Sequence, residues 1–458
     1  MRAWRRDDRS APSRLIGSLP RSRGSVQAVW VAGYGLAAVL PLAAVLVGSP
    51  PAGRGFVIEL ASALGIVALT MLALQLALPA RVPALIRALG ADVAIRLHRH
   101  LADVLVAAIA GHVALVMVAE PANLALLDPL GAPWRAKVAV ASCVALAALI
   151  ASSLLRRRLR LAYARWRAVH VALGVVALAL GIAHAVGVGR YLTAGPTDAV
   201  VAALAGLGLL AVLELRLLRP RRLAARPYLV ERLVPERGGA TTVALRADGH
   251  RGQRFRPGQF AWLKLADAPH ALAEHPFSYV SSATCPDRPQ FTIKAYGGFT
   301  RRVAELLRPG TRVLLDGPHG SYRPRPHADR LVLIAGGVGI TPIISLLRTA
   351  ADADDPRPYT LVYGSARWEE IIFREQLERL QKRLNLRAVH VLTDPPAGWP
   401  GETGFIDAAL LARQLPRELT RADVFLCGPP PLLAAALTAL QRLGVAPESV
   451  HAEQFVTV

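Results

Sequence analysis

Cysteine is scarce in this chain. Cys143, Cys285 and Cys427 are the only three in 458 residues, far apart and forming no CxxC. That excludes an iron–sulfur cluster held by four cysteines and gives no disulfide framework. Acidic residues are the next shortage, with 32 Asp and Glu against 54 Lys and Arg and a formal net charge of +22. In a soluble chain such an excess would point to nucleic acid. Here many of the arginine clusters flank long apolar runs, so orientation in a membrane explains the charge and no nucleic-acid partner is expected. No repeat or low-complexity tract stands out beyond an Ala/Leu-rich bias. The first apolar run follows seven arginines in residues 1–25 but lacks a small-residue cleavage site, so we read it as a retained span and not a removed signal peptide.

The chain is 53% hydrophobic, and the excess lies in its first half. Six apolar runs, at about 26–47, 56–78, 97–118, 135–155, 168–188 and 197–218, each approach the ~20 residues a bilayer requires. The segments 79–99, 156–167 and 216–226 hold 4, 6 and 5 Arg or Lys, whereas the alternate connections hold only Arg54, Arg135, Lys137 and Arg190. The asymmetry places both termini, and a basic tail over 1–25, on the cytoplasmic side of a multi-pass cell-membrane protein.

Two of these runs each carry a pair of histidines fourteen residues apart: His98 and His112, then His170 and His184. Fourteen helical residues turn about 1400°, roughly 40° short of four turns, so each pair leaves nearly one helix face at heights ~21 Å apart. The third and fifth spans run in the same direction. His98 and His170 therefore share the inner level, and His112 and His184 the outer one. Two stacked haems, each drawing one axial imidazole from each helix, satisfy this pattern. The alternative is a set of polar residues lining a helix contact or a water-filled cavity. His100 falls about 120° off the face of His112 and reads as a surface or propionate-side residue. Arg96, Arg99, Arg165 and Arg167 lie at the inner level, where they serve as counter-charges for propionates or as membrane anchors. Arg190, on the outer side, would attract an anionic chelate or stabilise superoxide. Asp103 and Glu59 are acidic groups within or near spans, where a helix–helix hydrogen bond is their expected use.

After Arg226 the composition changes. Short alternating runs such as TTVALRAD, FAWLKLA, FTIKAYG and RVLLDG, separated by Gly and Pro, predict a small antiparallel barrel over 226–324. From 329 to 458 strands and helices alternate, as in a doubly wound parallel sheet. The expected fold class is thus multidomain: an all-α six-helix transmembrane haem domain over 26–218, an antiparallel β-barrel, and an α/β Rossmann-like domain. Within the last, Gly336, Gly337 and Gly339 predict a strand-to-helix turn whose N–H groups suit dinucleotide phosphates, with Thr341 as helix cap. Their spacing is not GxGxxG, which favours a reductase-type loop over the dehydrogenase fingerprint.

The ordered motifs RPGQF, EHPFSYVSS, IKAYGGFT, LDGPHG, AGGVGITP and LCGPP, joined to the doubled histidine pairs, resemble those of the ferric reductase and NADPH oxidase superfamily. Its cytoplasmic half is similar to the ferredoxin–NADP reductase fold. The resemblance implies FAD, two haem b and NADPH (or NADH) as cofactors. It implies flavin contacts at His275, Pro276, Phe277 and Ser278, and approach of Gly298 and Thr300 to the FAD pyrophosphate. An ordinary β-turn with a Ser/Thr cap is the other reading of Gly298 and Thr300. It places Cys427, Gly428 and Pro429 beside the nicotinamide, with Cys427 as a redox-active thiol the alternative. It puts Phe455 over the flavin as the aromatic residue that NAD(P)H displaces. Ser365 and Arg367, just past the second α/β strand, would hold a 2′-phosphate. No calcium-binding EF-hand loop and no ferredoxin-like cysteine set is present, so electrons are expected to pass from flavin directly to the inner haem.

The implied activity is a transmembrane flavocytochrome b, an NAD(P)H-dependent oxidoreductase. It would pass electrons outward to a small extracytoplasmic acceptor, either O2 giving superoxide or a ferric or cupric chelate. Rival readings are a membrane electron-transfer subunit or anchor serving a periplasmic redox partner, and a haem-free tethered reductase. A homo-oligomer is compatible with either.

Overall fold

In the computed structural model the described residues are 21–48, 52–80, 91–156, 158–192, 195–266, 275–295, 306–320, 328–419 and 421–454, with Thr300, Tyr322 and Arg325. Two compact units result, one from Val26 to Arg222 and one from Leu223 onward.

The first unit is all helical: α1 (Arg21–Val47), α2 (Phe56–Ala77), α3 (Ala91–Ala119), α4 (Trp134–Leu155), α5 (Tyr163–Val188) and α6 (Pro196–Leu213). Six segments are long and apolar enough to cross a membrane. Helix α2 is the hub. Residues Ala68 to Gln75 are buried almost without interruption, and α3, α5 and α6 all pack on it. Small residues permit the close approach, since a Cβ on Gly208 of α6 would fall on the Ala73 carbonyl of α2. Ser142 Oγ donates to Ala177 O at 2.9 Å, tying α4 to α5.

Two boundaries differ from expectation. The tail over 1–25 lies outside the described residues as far as Pro20, but α1 begins inside it, at Arg21. The basic segment 216–226, expected as a connection, stays helical through a π turn at Glu214–Leu218 into α7 (Arg219–Ala224). Glu214 explains it by pairing with Arg219 and Arg222 one and two turns on.

The second unit has two lobes. Strands β1 (Tyr228–Glu236), β2 (Ala240–Ala247), β3 (Phe260–Leu265), β4 (His275–Ser278), β5 (Gln290–Lys294) and β6 (Arg312–His319) form an antiparallel sheet of order β4-β3-β6-β1-β2-β5. A bridge between Tyr279 and Phe291 joins its two edge strands and closes the barrel. The other lobe is a parallel sheet of β7 (Arg330–Gly336), β8 (Tyr359–Ser365), β9 (Leu386–Leu392), β10 (Glu402–Thr403), β11 (Ala422–Gly428) and β12 (Val450–Gln454). Its order is β10-β9-β8-β7-β11-β12. Helices α8 (Ile340–Asp352) and α9 (Arg374–Arg383) pack on one face, and α10 (Ala408–Gln414) and α11 (Pro430–Arg442) on the other. This is the doubly wound arrangement that the alternation predicts. Strand β10 is an addition that sequence reading did not anticipate.

Candidate functional site

The four histidines meet in the expected pairs. His98 of α3 faces His170 of α5 with ring centroids 6.3 Å apart and planes at 63°. His112 faces His184 at 6.4 Å and 66°. The helices that carry them pack on their neighbours, α3 on α2 and α5 on α4, more than on each other. A metal–imidazole bond of about 2.0 Å, with the ring centre roughly 1.1 Å beyond the nitrogen, separates two trans imidazole centroids by roughly 6.2 Å. Both pairs match that separation. Among the described residues no group of three or more His, Cys, Asp or Glu gathers as a metal cage. Two imidazoles are too few for a zinc-type site and suit the axial positions of a haem.

The outer halves of the rings are also arranged for ligation. His112 Nδ1 lies 2.7 Å from Ala61 O, and His184 Nδ1 2.9 Å from Arg135 O. His170 Nδ1 lies 3.2 Å from Ser153 Oγ. A carbonyl at Nδ1 fixes the tautomer that leaves Nε2 free to bind metal. Among the described residues His98 Nδ1 has no hydrogen-bond partner, the one ring of the four so placed. Trp166 packs on His170 with centroids 5.1 Å apart, and Arg156 covers Trp166 at 5.4 Å. Sequence reasoning missed Ser153, Trp166 and the two carbonyls.

Near the other end of the spans, Glu59 of α2 accepts from Tyr191 Oη and, at 3.2 Å, from Arg190 Nη2. Arg54 N adds a bond of 3.1 Å to the same carboxylate. Arg190, expected to face an anionic acceptor, is therefore engaged by Glu59 and by the Ala52 carbonyl.

In the barrel, β4 is the segment His275–Ser278 itself, between β3 and the closing bridge. His275, Pro276 and Phe277 are partly exposed. Ser278 is 3% exposed, and its buried Oγ has no hydrogen-bond partner among the described residues. A buried hydroxyl left open on the strand expected to meet flavin fits a ligand that completes it. Thr300 is part-buried, whereas Gly298 and Phe455 lie outside the described residues.

In the α/β lobe, β7 ends at Gly336 and a 3-10 turn over Gly337–Gly339 leads into α8. Each glycine has its own reason. A Cβ on Gly336 would meet Leu432 at 2.7 Å, and one on Gly339 would fall on the Cys427 carbonyl. Gly337 has open space but a φ of +54°. Tyr363 Oη donates to Gly337 O at 2.9 Å and holds the turn from β8. Thr341 is not the cap. Helix α8 starts a residue earlier, and Thr341 Oγ1 donates back to Val338 O at 3.0 Å. Helix α8 thus starts from the glycine turn without a side-chain cap.

Gly428 and Pro429 stand beside this turn at the end of β11, where a Cβ on Gly428 would approach Gly336 N at 3.2 Å. Cys427 is fully buried. Burial first, and then the Glu453 charge, push its thiol well above the usual range. A reactive thiolate needs the opposite environment, so the redox-active alternative for Cys427 is set aside. Ser365 ends β8 as a half-buried residue. Arg367 is exposed, and its Nε donates to Asp394 Oδ2 at 2.7 Å. The group expected to meet a 2′-phosphate thus already has a carboxylate partner.

The family described as ferric reductase like transmembrane component matches residues 64–181. An FAD-binding domain family matches 240–323, and an oxidoreductase NAD-binding domain family matches 333–438. NADH-cytochrome b5 reductase 1 of Aspergillus terreus (strain NIH 2624 / FGSC A1156) is 32% identical over 161 residues, 33% of this chain and 54% of its own length. The reductase component of propane 2-monooxygenase from Rhodococcus jostii (strain RHA1) is 28% identical over 214 residues, 45% of this chain and 57% of its own. The chain thus spans little more than half the length of these curated relatives. The flavohem-like FAD/NAD-binding domain of nitric oxide dioxygenase from Vibrio cholerae O1 biovar El Tor is 23% identical, at a TM-score of 0.45, covering 50% of this chain and 98% of that one. The three matches fall in order on the membrane helices, the barrel and the α/β lobe, so the chain joins a part similar to a ferric-reductase-like transmembrane component to parts similar to FAD-binding and oxidoreductase NAD-binding domains.

Proposed function

We propose that the chain is a transmembrane flavocytochrome b, in which FAD turns hydride from cytoplasmic NAD(P)H into single electrons and two haem b carry them to an extracytoplasmic acceptor. The observation that carries this reading is the pair of imidazole couples at 6.3 and 6.4 Å, one couple per level of α3 and α5. His98 with His170 would hold the inner haem, and His112 with His184 the outer. Bound there, the two haems would supply one-electron transfer toward the acceptor, with these four imidazoles as their protein ligands.

The remaining residues bind and orient. Ser278 offers its hydroxyl to the flavin, with His275, Pro276 and Phe277 along the same strand. Gly336, Gly337 and Gly339 bring backbone N–H groups to the dinucleotide phosphates. Gly428 and Pro429 border that turn, and Ser365 and Arg367 face the adenosine end. Thr300 and Gly298 remain assigned to the pyrophosphate and Phe455 to the flavin face. The excess of arginine in alternate connections supports a cell-membrane protein with both termini in the cytoplasm.

The acceptor is either O2 or a ferric or cupric chelate. Detergent-purified protein with FAD and NADPH separates the two. Cytochrome c reduction in air that superoxide dismutase abolishes makes the chain a superoxide-producing oxidase. Dismutase-insensitive reduction, with fast anaerobic reduction of ferric citrate, makes it a metal reductase. Rapid haem reduction with no turnover on either acceptor points to a periplasmic protein partner. Absence of a Soret band after haem-sufficient expression overturns the flavocytochrome reading.

A further inference from the structure

The helix that begins at the nucleotide turn also grips the chain just past the flavin strand. Ser345 Oγ of α8 donates to Ser281 O at 2.8 Å. One turn on, Arg348 Nη1 donates to Val280 O at 2.6 Å and to Gln290 Oε1 at 3.0 Å. Thr349 Oγ1 accepts the Ala283 N–H at 2.9 Å, its own proton being spent on Ser345 O. The captured groups lie two to five residues after Ser278, and Gln290 opens β5. The other arm of Arg348 donates to Gln376 Oε1 of α9 at 2.6 Å. One guanidinium therefore joins α8, α9, β5 and the segment that follows the flavin strand.

This is not an ordinary ion pair. All three hydrogen-bond acceptors are neutral, and the guanidinium is buried deeply enough to pull its pKa down to about 10. The charges of Glu236 and Asp352 partly offset that cost, and Arg379 adds to it. Val280 and Tyr322 from the barrel side share one apolar core with Ile343, Leu347 and Phe425, so the joint is packed as well as bonded. A planar fork with five donors holds several acceptors at fixed angles, whereas an ammonium offers three donors on a flexible stem.

We propose that α8 sets the position of the flavin segment relative to the nucleotide turn, with Arg348 as its positioning residue; the inference rests on the FAD and NAD(P)H reading above. The hydride leaves nicotinamide C4 with its electron pair and goes to the flavin, so the nicotinamide is oxidised and the flavin reduced. A misplacement of about 1 Å between donor and acceptor can cost as much as 100-fold in such a step. Arg348 lies nine residues beyond the last glycine of the nucleotide turn, so it contributes by holding the two halves in register and not by touching the phosphates.

The test uses the full-length, detergent-solubilised protein and its R348K and R348Q variants. Calorimetry gives the affinities for FAD and NADP+. Hydrogen exchange over residues 275–284, with and without NADP+, reads the coupling. Anaerobic stopped-flow with nicotinamide deuterated at C4 reads the hydride step. We expect both affinities within about threefold of the parent, loss of the NADP+-dependent protection over 275–284, and flavin reduction slowed at least tenfold with a larger isotope effect. A merely structural role would instead weaken both affinities together and leave the isotope effect unchanged, which overturns the proposal. Parent-like protection and rates in folded variants also overturn it. If the Arg348 variants lose FAD outright, S345A and T349V decide, each removing one hydroxyl. A threefold to tenfold slowing supports the proposal and parent-like rates end it. Failure of the parent itself to bind FAD or NADP+ is a separate result, which removes the functional reading and this inference with it.

Discussion

Gly65 stands directly behind His112: a Cβ on Gly65 would lie 2.8 Å from His112 Nδ1 and 2.9 Å from Cε1. The missing side chain lets the ring reach the Ala61 carbonyl on the same helix, α2. G65A should push the ring off that carbonyl. The expected outcome is a shifted potential or partial loss of the outer haem, with the inner one unchanged, in a redox titration followed at the Soret band. G33A is the control, since a Cβ on Gly33 meets nothing within 4 Å. Identical titrations for G65A and the parent would show that the ring does not carry the outer haem.

His112→Ala or His184→Ala should remove the outer haem, lowering haem content from two per chain toward one. Reduction of flavin by NADPH should survive, because the reductase modules are untouched. Haem-to-protein ratios measured as the pyridine haemochrome settle it, and retention of both haems in either variant would sink the pairing.

The glycines of the nucleotide turn should differ in cost. Gly339→Ala drives a methyl group into the Cys427 carbonyl, an overpacking worth roughly 1–3 kcal/mol, and should abolish NADP+ binding. Gly337→Ala has room and pays only for its positive φ, about 1–2 kcal/mol. Thermal unfolding and nucleotide titration of both variants check the order. An equal loss of binding in the two would mean that the backbone of the whole turn, and not the approach to β11, is what matters.

Asp394 should set the preference between NADH and NADPH. Its carboxylate occupies Arg367 and would repel a 2′-phosphate. Both side chains are more than 60% exposed, so the effect is modest, about 1 kcal/mol or less. Asp394→Asn should raise affinity for NADP+ over NAD+ roughly threefold to fivefold in parallel binding titrations. An unchanged ratio would place the adenosine end elsewhere.

Acid should weaken the α/β lobe through Asp423. This fully buried carboxylate takes Arg325 N at 2.5 Å and Arg325 Nε at 2.6 Å, with His451 Nε2 at 3.7 Å. Burial alone would raise its pKa, but the His451 and Arg325 groups outweigh burial and hold it below the usual carboxylate range. A depressed folded value means the stabilisation is complete above the ordinary pKa of about 4 and is lost as pH falls through the folded one. Asp423→Asn should cost roughly 2–3 kcal/mol at neutral pH and flatten the acid limb of a stability–pH curve. An unchanged limb in the variant would assign acid sensitivity to other groups.

The histidine pairs were legible because helical geometry alone fixes which residues share a face, and the doubled spacing left one economical pairing. Their support was not legible. Ala61 is 51 residues from His112, and Arg135 is 49 from His184. In both cases the partner atom is a backbone carbonyl that any residue type would supply. Thr341 shows the reverse failure. A threonine near a helix start suggests a cap, but three glycines had already turned the chain and begun the helix at Ile340. Arg367 misled for a third reason, because its partner Asp394 lies 27 residues on, in the loop just past β9, and charge pairing between loops is invisible to local pattern. Arg348 lies within an apolar helix that predicts nothing more than a snorkelling surface residue.

Among the described residues the edge strands of the barrel meet at one bridge, between Tyr279 and Phe291, immediately after the strand assigned to flavin, with Gln290 N donating to Ser281 Oγ beside it. Parted there, β4 and β5 would each offer an unpaired row of N–H and C=O groups, the kind of template on which a second chain can add itself. The bridge is therefore also a guard against self-association.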